Sequence, residues 1–321
     1  MFTPENLKAL NVFAASLEMN APASAMLLND LAEEVEGNSP IARFLAEHPD
    51  ASEPLFLVRV VACAQWLMLR GKAPELTMHL RKVLDNTNNP EYLHRTWELS
   101  KDAILGNRAD SWEALSRPVQ QHQPNRASHL LRGLTMLAIP SMRVELLELG
   151  ACAGFNLLLD RYCWFGHDWQ WGDPSSPVRI ATTGPRPGNI EIVRRAGCDL
   201  YPRDPHSEAD AKILHSYLPP EWEVCHMELD DALALAQQMQ PTVQRADAAD
   251  WLGGELDRPA DEDVCTVVWH SLFWGLLDAS SQQKIDEIME SAARRGRNLA
   301  RVALEPRRPS LPPQLQVTLY S

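Results

Sequence analysis

Four polar residues close apolar runs in this chain, and their types suit ligand chemistry. The first run ends in the turn Glu148-x-Gly150-x-Cys152-x-Gly154, ahead of the leucine-rich segment Phe155 to Tyr162. Small residues there let a ligand approach the backbone, and a following helix would offer free N–H groups and a positive dipole end. Asp199, Asp247 and His270 close later runs. A carboxylate accepts hydrogen bonds from two hydroxyls, and an exocyclic amine needs an acceptor. A histidine can take a proton from an oxygen or nitrogen nucleophile. Cys152 is expected to be a buried, inert thiol rather than a nucleophile.

These residues need a scaffold that brings distant strand ends to one edge. From about Ser141 onward, strands alternate with helices, the pattern of a parallel sheet covered on both faces. The expected strands are Val144–Glu148, about Ile190–Val193, Thr242–Arg245, Cys265–Trp269 and Leu299–Leu304, with a last candidate at Gln316–Tyr320. Helices are expected at about 155–162, 207–217, 223–240 and 281–295, with Asp250 capping a helix. In open sheets of this kind ligands bind outside the carboxyl ends of the strands, so Glu148, Asp199, Asp247 and His270 would line one edge. The aromatic stretch Trp164 to Pro174 reads as a loop. Within it Trp171 is a candidate to clamp a planar or cationic substrate. Asp173, in Gly-Asp-Pro, is expected to shape a turn or touch substrate.

The first half, to about Pro140, reads as helix throughout. Pro4-Glu5 opens a segment of helical period, Ala23 to Val35 ends at Gly37, and the nearly all-apolar Pro54 to Arg70 is stopped by Gly71. Further helices are expected from Pro74, Pro90, Arg108 and Asn125. Trp66, Trp97 and Trp112 read as core. An all-helical domain over 1–140 would serve as a lid, dimerisation module or substrate cap before an α/β domain over 141–321.

Two cofactor patterns compete for the turn. A dinucleotide fingerprint needs G-x-G-x-x-G with an acid about 20 residues on. Here two of the three glycines are missing, and Asp199 lies 51 residues beyond Glu148. The turn instead resembles the acid-x-G-x-G-x-G motif of class I S-adenosylmethionine-dependent methyltransferases, with Cys152 in place of the middle glycine. By that resemblance Glu148, Gly150, Cys152 and Gly154 cradle the cofactor and Asp199 holds ribose hydroxyls. Asp247 with Ala248 reads adenine, and His270 with Ser271 faces the substrate; from the residues alone Asp199 and Asp247 suit loop capping equally, and His270 a satisfied histidine at a strand end. The stretches LELGACAGFNLLLDRY, WGDPSSPVRI, GCDLYPRD, ADAADWL and, upstream, PLFLVRVVACAQWLMLRG and VQQHQPNRASHLL also resemble a bacterial family of unknown function. Its members join a helical half to a methyltransferase-like half. The resemblance implies a Rossmann-like sheet, mostly parallel with helices on both faces, after an all-α domain. Gln120 and Arg126 match the family, which makes Arg126 a candidate substrate contact, whereas His122-Gln123 depart from its Asn-Glu pair.

Composition narrows the rest. A net charge of −13 disfavours sequence-independent nucleic-acid binding and docking on an anionic membrane. Arg294, Arg295, Arg297, Arg301, Arg307 and Arg308 form a local basic cluster, expected to be solvated. The six cysteines are scattered without a C-x-x-C pair, so no metal centre is expected. Apolar runs are too short to cross a bilayer. The opening residues lack a basic stretch before an apolar one, so a cytoplasmic location is expected. The leading expectation is a small-molecule methyltransferase using S-adenosylmethionine, with a homodimer compatible. The rivals are a catalytically inactive binding or assembly module of the same fold and, less well matched, an NAD-dependent oxidoreductase. A seven-stranded methyltransferase sheet would want one more strand beyond Tyr320.

Overall fold

The computed structural model describes residues 2–84, 89–137, 141–259, 261–307 and 312–320. Pro140, Arg308 and Ser321, named above, lie outside these. The chain divides into two compact units. The first comprises the chain to His122 together with Glu208–Met227; the second comprises Gln123–Ser207 and Glu228–Ser321. The sequence reading instead placed one boundary at 140 and kept 208–227 with the second half.

The first unit is helical: α1 (Pro4–Leu17), α2 (Pro22–Glu36), α3 (Pro40–Ala46), α4 (Val58–Leu69), α5 (Pro74–Leu84), α6 (Pro90–Gly106) and α7 (Arg108–Leu115). Proline opens five of these helices, where its missing N–H costs no hydrogen bond. Thr3 and Ser39 cap the ends that precede Pro4 and Pro40. Almost every residue of α4 is buried, as its apolar run requires. Trp66 and Trp97 are core residues, 3% exposed, and Trp112 packs against that core half-buried. Ile213 and Tyr217 complete the same core, which is why 208–227 belongs to this unit.

In the second unit α8 (Ala127–Met136) precedes β1 (Ser141–Leu149). Then follow β2 (Cys163–Phe165), β3 (Gln170–Gly172), β4 (Arg179–Ala181) and β5 (Asn189–Asp199). Helix α9 (Glu208–Ser216) lies in the first unit, and α10 (Glu223–Met239) begins there and ends in the second. The chain closes with β6 (Val243–Arg245), α11 (Ala248–Leu256), β7 (Val264–Ser271), α12 (Ala279–Arg294), β8 (Leu299–Pro306) and β9 (Pro313–Tyr320).

The main sheet has the order β6-β5-β1-β7-β8-β9. All neighbours are parallel except β8 and β9, which pair antiparallel. Strand order therefore reverses between β1 and β7, the position at which doubly wound sheets open a crevice at their carboxyl ends. Side-chain alternation along β8 separates two faces. Arg301 reaches Asp286 and Met289 of α12 on one face. Val302, on the other, packs against α8 so closely that a Cβ on Gly133 would overlap it.

Two expectations change here. The aromatic stretch is not a loop but part of a small second sheet, β3-β2-β4, with Trp164 and Trp171 paired across β2 and β3. The C-terminal arginines are not all solvated either. Arg297 is 8% exposed and bonds both Glu145 and Thr266, while Glu145 also accepts from Arg194. Burying a carboxylate in the middle of β1 is tolerable only with such partners. No described helix is long and apolar enough to cross a membrane.

Candidate functional site

Glu148 ends β1 beside Gly197 of β5 and Trp269 of β7. It is 2% exposed and accepts one hydrogen bond, from Asn156 Nδ2 at 2.7 Å. Its second oxygen, Oε2, has no partner, and neither has the indole N–H of Trp269. Trp269 helps to stabilise the carboxylate without reaching hydrogen-bond geometry. Burial outweighs these contacts and, with the nearby Asp199 charge, pushes the Glu148 pKa up to about 8. At neutral pH Glu148 is therefore mostly a neutral acid, able to donate a proton in a hydrogen bond.

The turn that follows takes the left-handed region three times: Gly150 at φ 70°, Cys152 at φ 50° and Gly154 at φ 75°. Cys152 thus adopts the conformation of the glycine it replaces, at a cost glycine would not bear. Its backbone N–H donates to Asp199 Oδ2 at 2.9 Å, and its carbonyl accepts from the Arg203 N–H at 3.1 Å. Its side chain is buried and burial drives the thiol pKa well above the ordinary value, so it is an inert thiol as expected. Asp199 spends its other oxygen, Oδ1, on the Tyr201 N–H at 2.8 Å, yet the residue stays half-exposed.

No α-helix follows the turn. Asn156–Arg161 is a 3-10 segment broken at Leu158, where φ is −100° and ψ is 16°. Phe155 to Leu159 are all buried, so this stretch has no polar face. Its carbonyls are taken by aromatic donors: Tyr162 Oη bonds Phe155 O at 2.7 Å and Trp164 Nε1 bonds Leu159 O at 2.6 Å. The dipole expected from a helix at this place is therefore missing. The turn's glycines also meet the protein's own side chains. A Cβ on Gly150 would come 2.6 Å from the Phe273 ring, and one on Gly154 3.0 Å from Pro241 and Val243.

Phe273 belongs to the segment after β7, which is held by an unanticipated carboxylate. Glu305, ending β8, accepts at one oxygen from His270 Nδ1 (2.8 Å), Phe273 N (2.9 Å) and Trp274 N (3.1 Å). Trp274 stacks on the His270 ring with centroids 5.2 Å apart, and Leu272 sits at φ 51°. His270 is 2% exposed, and burial lowers its pKa against the opposing pull of Glu305. It is neutral at pH 7, with Nδ1–H directed at Glu305 and Nε2 left without a hydrogen-bond partner. Glu305 carried the same signal in sequence as Glu148, a carboxylate closing an apolar strand. Asn156 and Phe273 carried none, because only their contacts make them special.

The other candidates divide. Asp247 is the N-cap of α11, accepting from Ala249 N and Asp250 N, so the cap is Asp247 and not Asp250. Asp250 pairs with Lys284. Ala248 is 7% exposed in the first turn of that helix. Asp173 does shape a turn, accepting from the Ser175 N–H and hydroxyl. Trp171, on β3, and Ser271, at the end of β7, are half-buried. The Arg126 guanidinium is desolvated, which pushes its pKa down to about 10, and it lies within electrostatic reach of Cys152 and Glu305. The fold thus gathers Glu148, the turn, Asp199 and Arg126 at the carboxyl edge, with His270 and Glu305 linked to it through Phe273. Among the described residues no group of three His, Cys, Asp or Glu side chains is placed to hold a metal ion.

Residues 8–321 match a bacterial family described as "Uncharacterized protein conserved in bacteria (DUF2332)". No curated protein and no solved structure matches the chain.

Proposed function

The chain belongs to this bacterial family, and we propose that its α/β unit is a class I methyltransferase-like domain that binds S-adenosylmethionine. The observation that carries this reading is the bond between Asp199 and the Cys152 N–H, at the ends of neighbouring strands β5 and β1. It sets a half-exposed carboxylate beside a turn with three left-handed residues, next to the point where strand order reverses. Asp199 Oδ1 and Oδ2 retain lone pairs for ribose hydroxyls. Asp247 suits the adenine end less well, since its Oδ1 already caps α11.

When bound, the sulfonium cofactor would supply an activated methyl group to a small-molecule acceptor. This chain's share would be to align the acceptor and to take its proton. His270 Nε2 is the base with the right protonation state, and Glu305 holds its tautomer. Phe273 must leave Gly150 for a ligand to lie along the turn.

Calorimetric titration with S-adenosylhomocysteine tests the reading. Micromolar binding that Asp199→Ala weakens by about tenfold or more, the loss of one or two charged hydrogen bonds, is expected. No binding by the folded protein would sink it. Phe273 against Gly150 and the neutral, buried Glu148 favour a second reading, a catalytically inactive module of the same fold. Binding of the cofactor without turnover against a panel of small acceptors would decide for that one.

A further inference from the structure

A cavity of about 320 Å³ lies in the second unit between α8 and the Pro-rich segment after β4. That volume is in the range of small-ligand sites. It is lined by Arg132, Ser128, Trp169, Thr182, Pro185 and Pro187 among others, and no carboxylate is among its described lining residues. The exposed side chain of Arg132 makes no hydrogen bond or ion pair with any described residue, in a chain that carries 43 acidic residues against 30 lysines and arginines. Acid partners are abundant in this protein, yet none neutralises this guanidinium.

The positive field is not that of one residue. Arg126 and Arg132 flank His129 in sequence at intervals of three, and both guanidiniums help, after burial, to lower the pKa of that imidazole, which stays neutral at pH 7 and adds no charge of its own. Across the cavity the Trp169 indole is pinned. Its N–H donates to Gly184 O at 3.2 Å, and its ring covers Gly166 so closely that a Cβ there would overlap it. A fixed aromatic ring, proline walls, hydroxyls and one unpaired guanidinium make a complementary set for a flat apolar body with one anionic group.

We infer that this cavity binds a small planar anion, of the aromatic carboxylate class, through Arg132 and Trp169. The inference stands apart from the methyltransferase reading, since it uses none of the strand-end residues.

The test uses the full-length protein with 1-naphthoate and its neutral counterpart 1-naphthamide, followed by calorimetry and ligand-observed NMR. Saturable naphthoate binding is expected, with the amide at least about tenfold weaker, the worth of one charge-assisted hydrogen bond. Arg132→Gln should bring naphthoate down to the level of the amide, whereas Arg294→Gln, an exposed arginine paired with Glu290, should change nothing. Trp169→Leu should weaken both ligands. Lack of saturable binding up to millimolar naphthoate would overturn the assignment. Equal binding of acid and amide, or an unchanged affinity in folded Arg132→Gln, would overturn it as well. Because S-adenosylhomocysteine binding is measured separately, either result leaves the strand-end reading to its own experiment.

Discussion

Glu148 shows how burial can reverse what a residue type suggests. A strand-end glutamate reads as an anion poised to hold a ligand, but here one oxygen receives Asn156 and the other receives nothing. The folded state consequently keeps a proton that the unfolded chain releases from about pH 4.5 upward, up to about pH 8. The stability this contributes is complete below the unfolded pKa and is lost as pH rises through the folded one. His270 works the other way: its lowered pKa means stability is present above about pH 6.5 and is lost as pH falls below it. Glu148→Gln removes the first effect and keeps an oxygen for Asn156. Its stability relative to the native protein is expected to improve steadily between pH 5 and pH 8, by a few kcal/mol in all. Urea unfolding at several pH values reads this directly; a constant difference across the range would mean that Glu148 is already ionised when folded.

At the scale of elements, the start of the segment after β7 converges on one carboxylate, while Leu272 N–H bonds Leu304 O and the Gln282 amide bonds Trp274 O further along. Glu305 accepts from His270 and from the consecutive N–H groups of Phe273 and Trp274, and this places the Phe273 ring against Gly150. Glu305→Ala would strand three donors in a buried setting, a loss of about 3 kcal/mol or more. Urea unfolding should show that cost. Amide exchange should localise it, with Phe273 and Trp274 exchanging far faster while the middle of β7 stays protected. Unchanged exchange at those two amides would mean that the segment is held by Trp274 stacking and by burial. The small sheet β3-β2-β4 keeps Trp164 wholly buried and Trp171 half-buried. Its aromatics therefore differ in what they can offer a ligand, and Trp171, the candidate named from the sequence, is the more accessible of this pair.

For the whole molecule, the division into units does not follow chain order. Ile213 and Tyr217 lie in the helical core although they come after β5, and Tyr217 also donates to Pro118 O at 2.9 Å. A truncated chain beginning at Gln123 would carry these side chains without the helices that cover them. Exposed apolar patches of that kind drive association, so the truncated protein is expected to aggregate where the full chain stays dispersed. Replacing Ile213 and Tyr217 by polar residues in the truncated chain should relieve this. Size-exclusion chromatography distinguishes the outcomes, and a monodisperse Gln123–Ser321 fragment without those replacements would show that 208–227 needs no helical partner.

Much of this architecture was legible from residue order alone. Apolar periodicity located the helices of the first half, and the alternation after Ser141 located all six strands of the main sheet. That succeeds because burial of one face is a local property of a pattern, repeated every 3.6 or 2 residues. The Gly-x-Cys-x-Gly turn was also visible, since left-handed backbone demands small residues at set spacing. Tertiary structure decided the remainder. The expected helix at 155–162 became a broken 3-10 segment because its apolar side chains are buried on every side and Tyr162 and Trp164 capture its carbonyls. Asp247 became a helix cap, Arg297 a buried partner of Glu145, and Glu305 the anchor of the segment that covers Gly150. In each case the outcome depends on which distant group shares a low-dielectric space with the residue. That neighbour, and with it charge state and hydrogen-bond role, is set by packing between segments far apart in the chain.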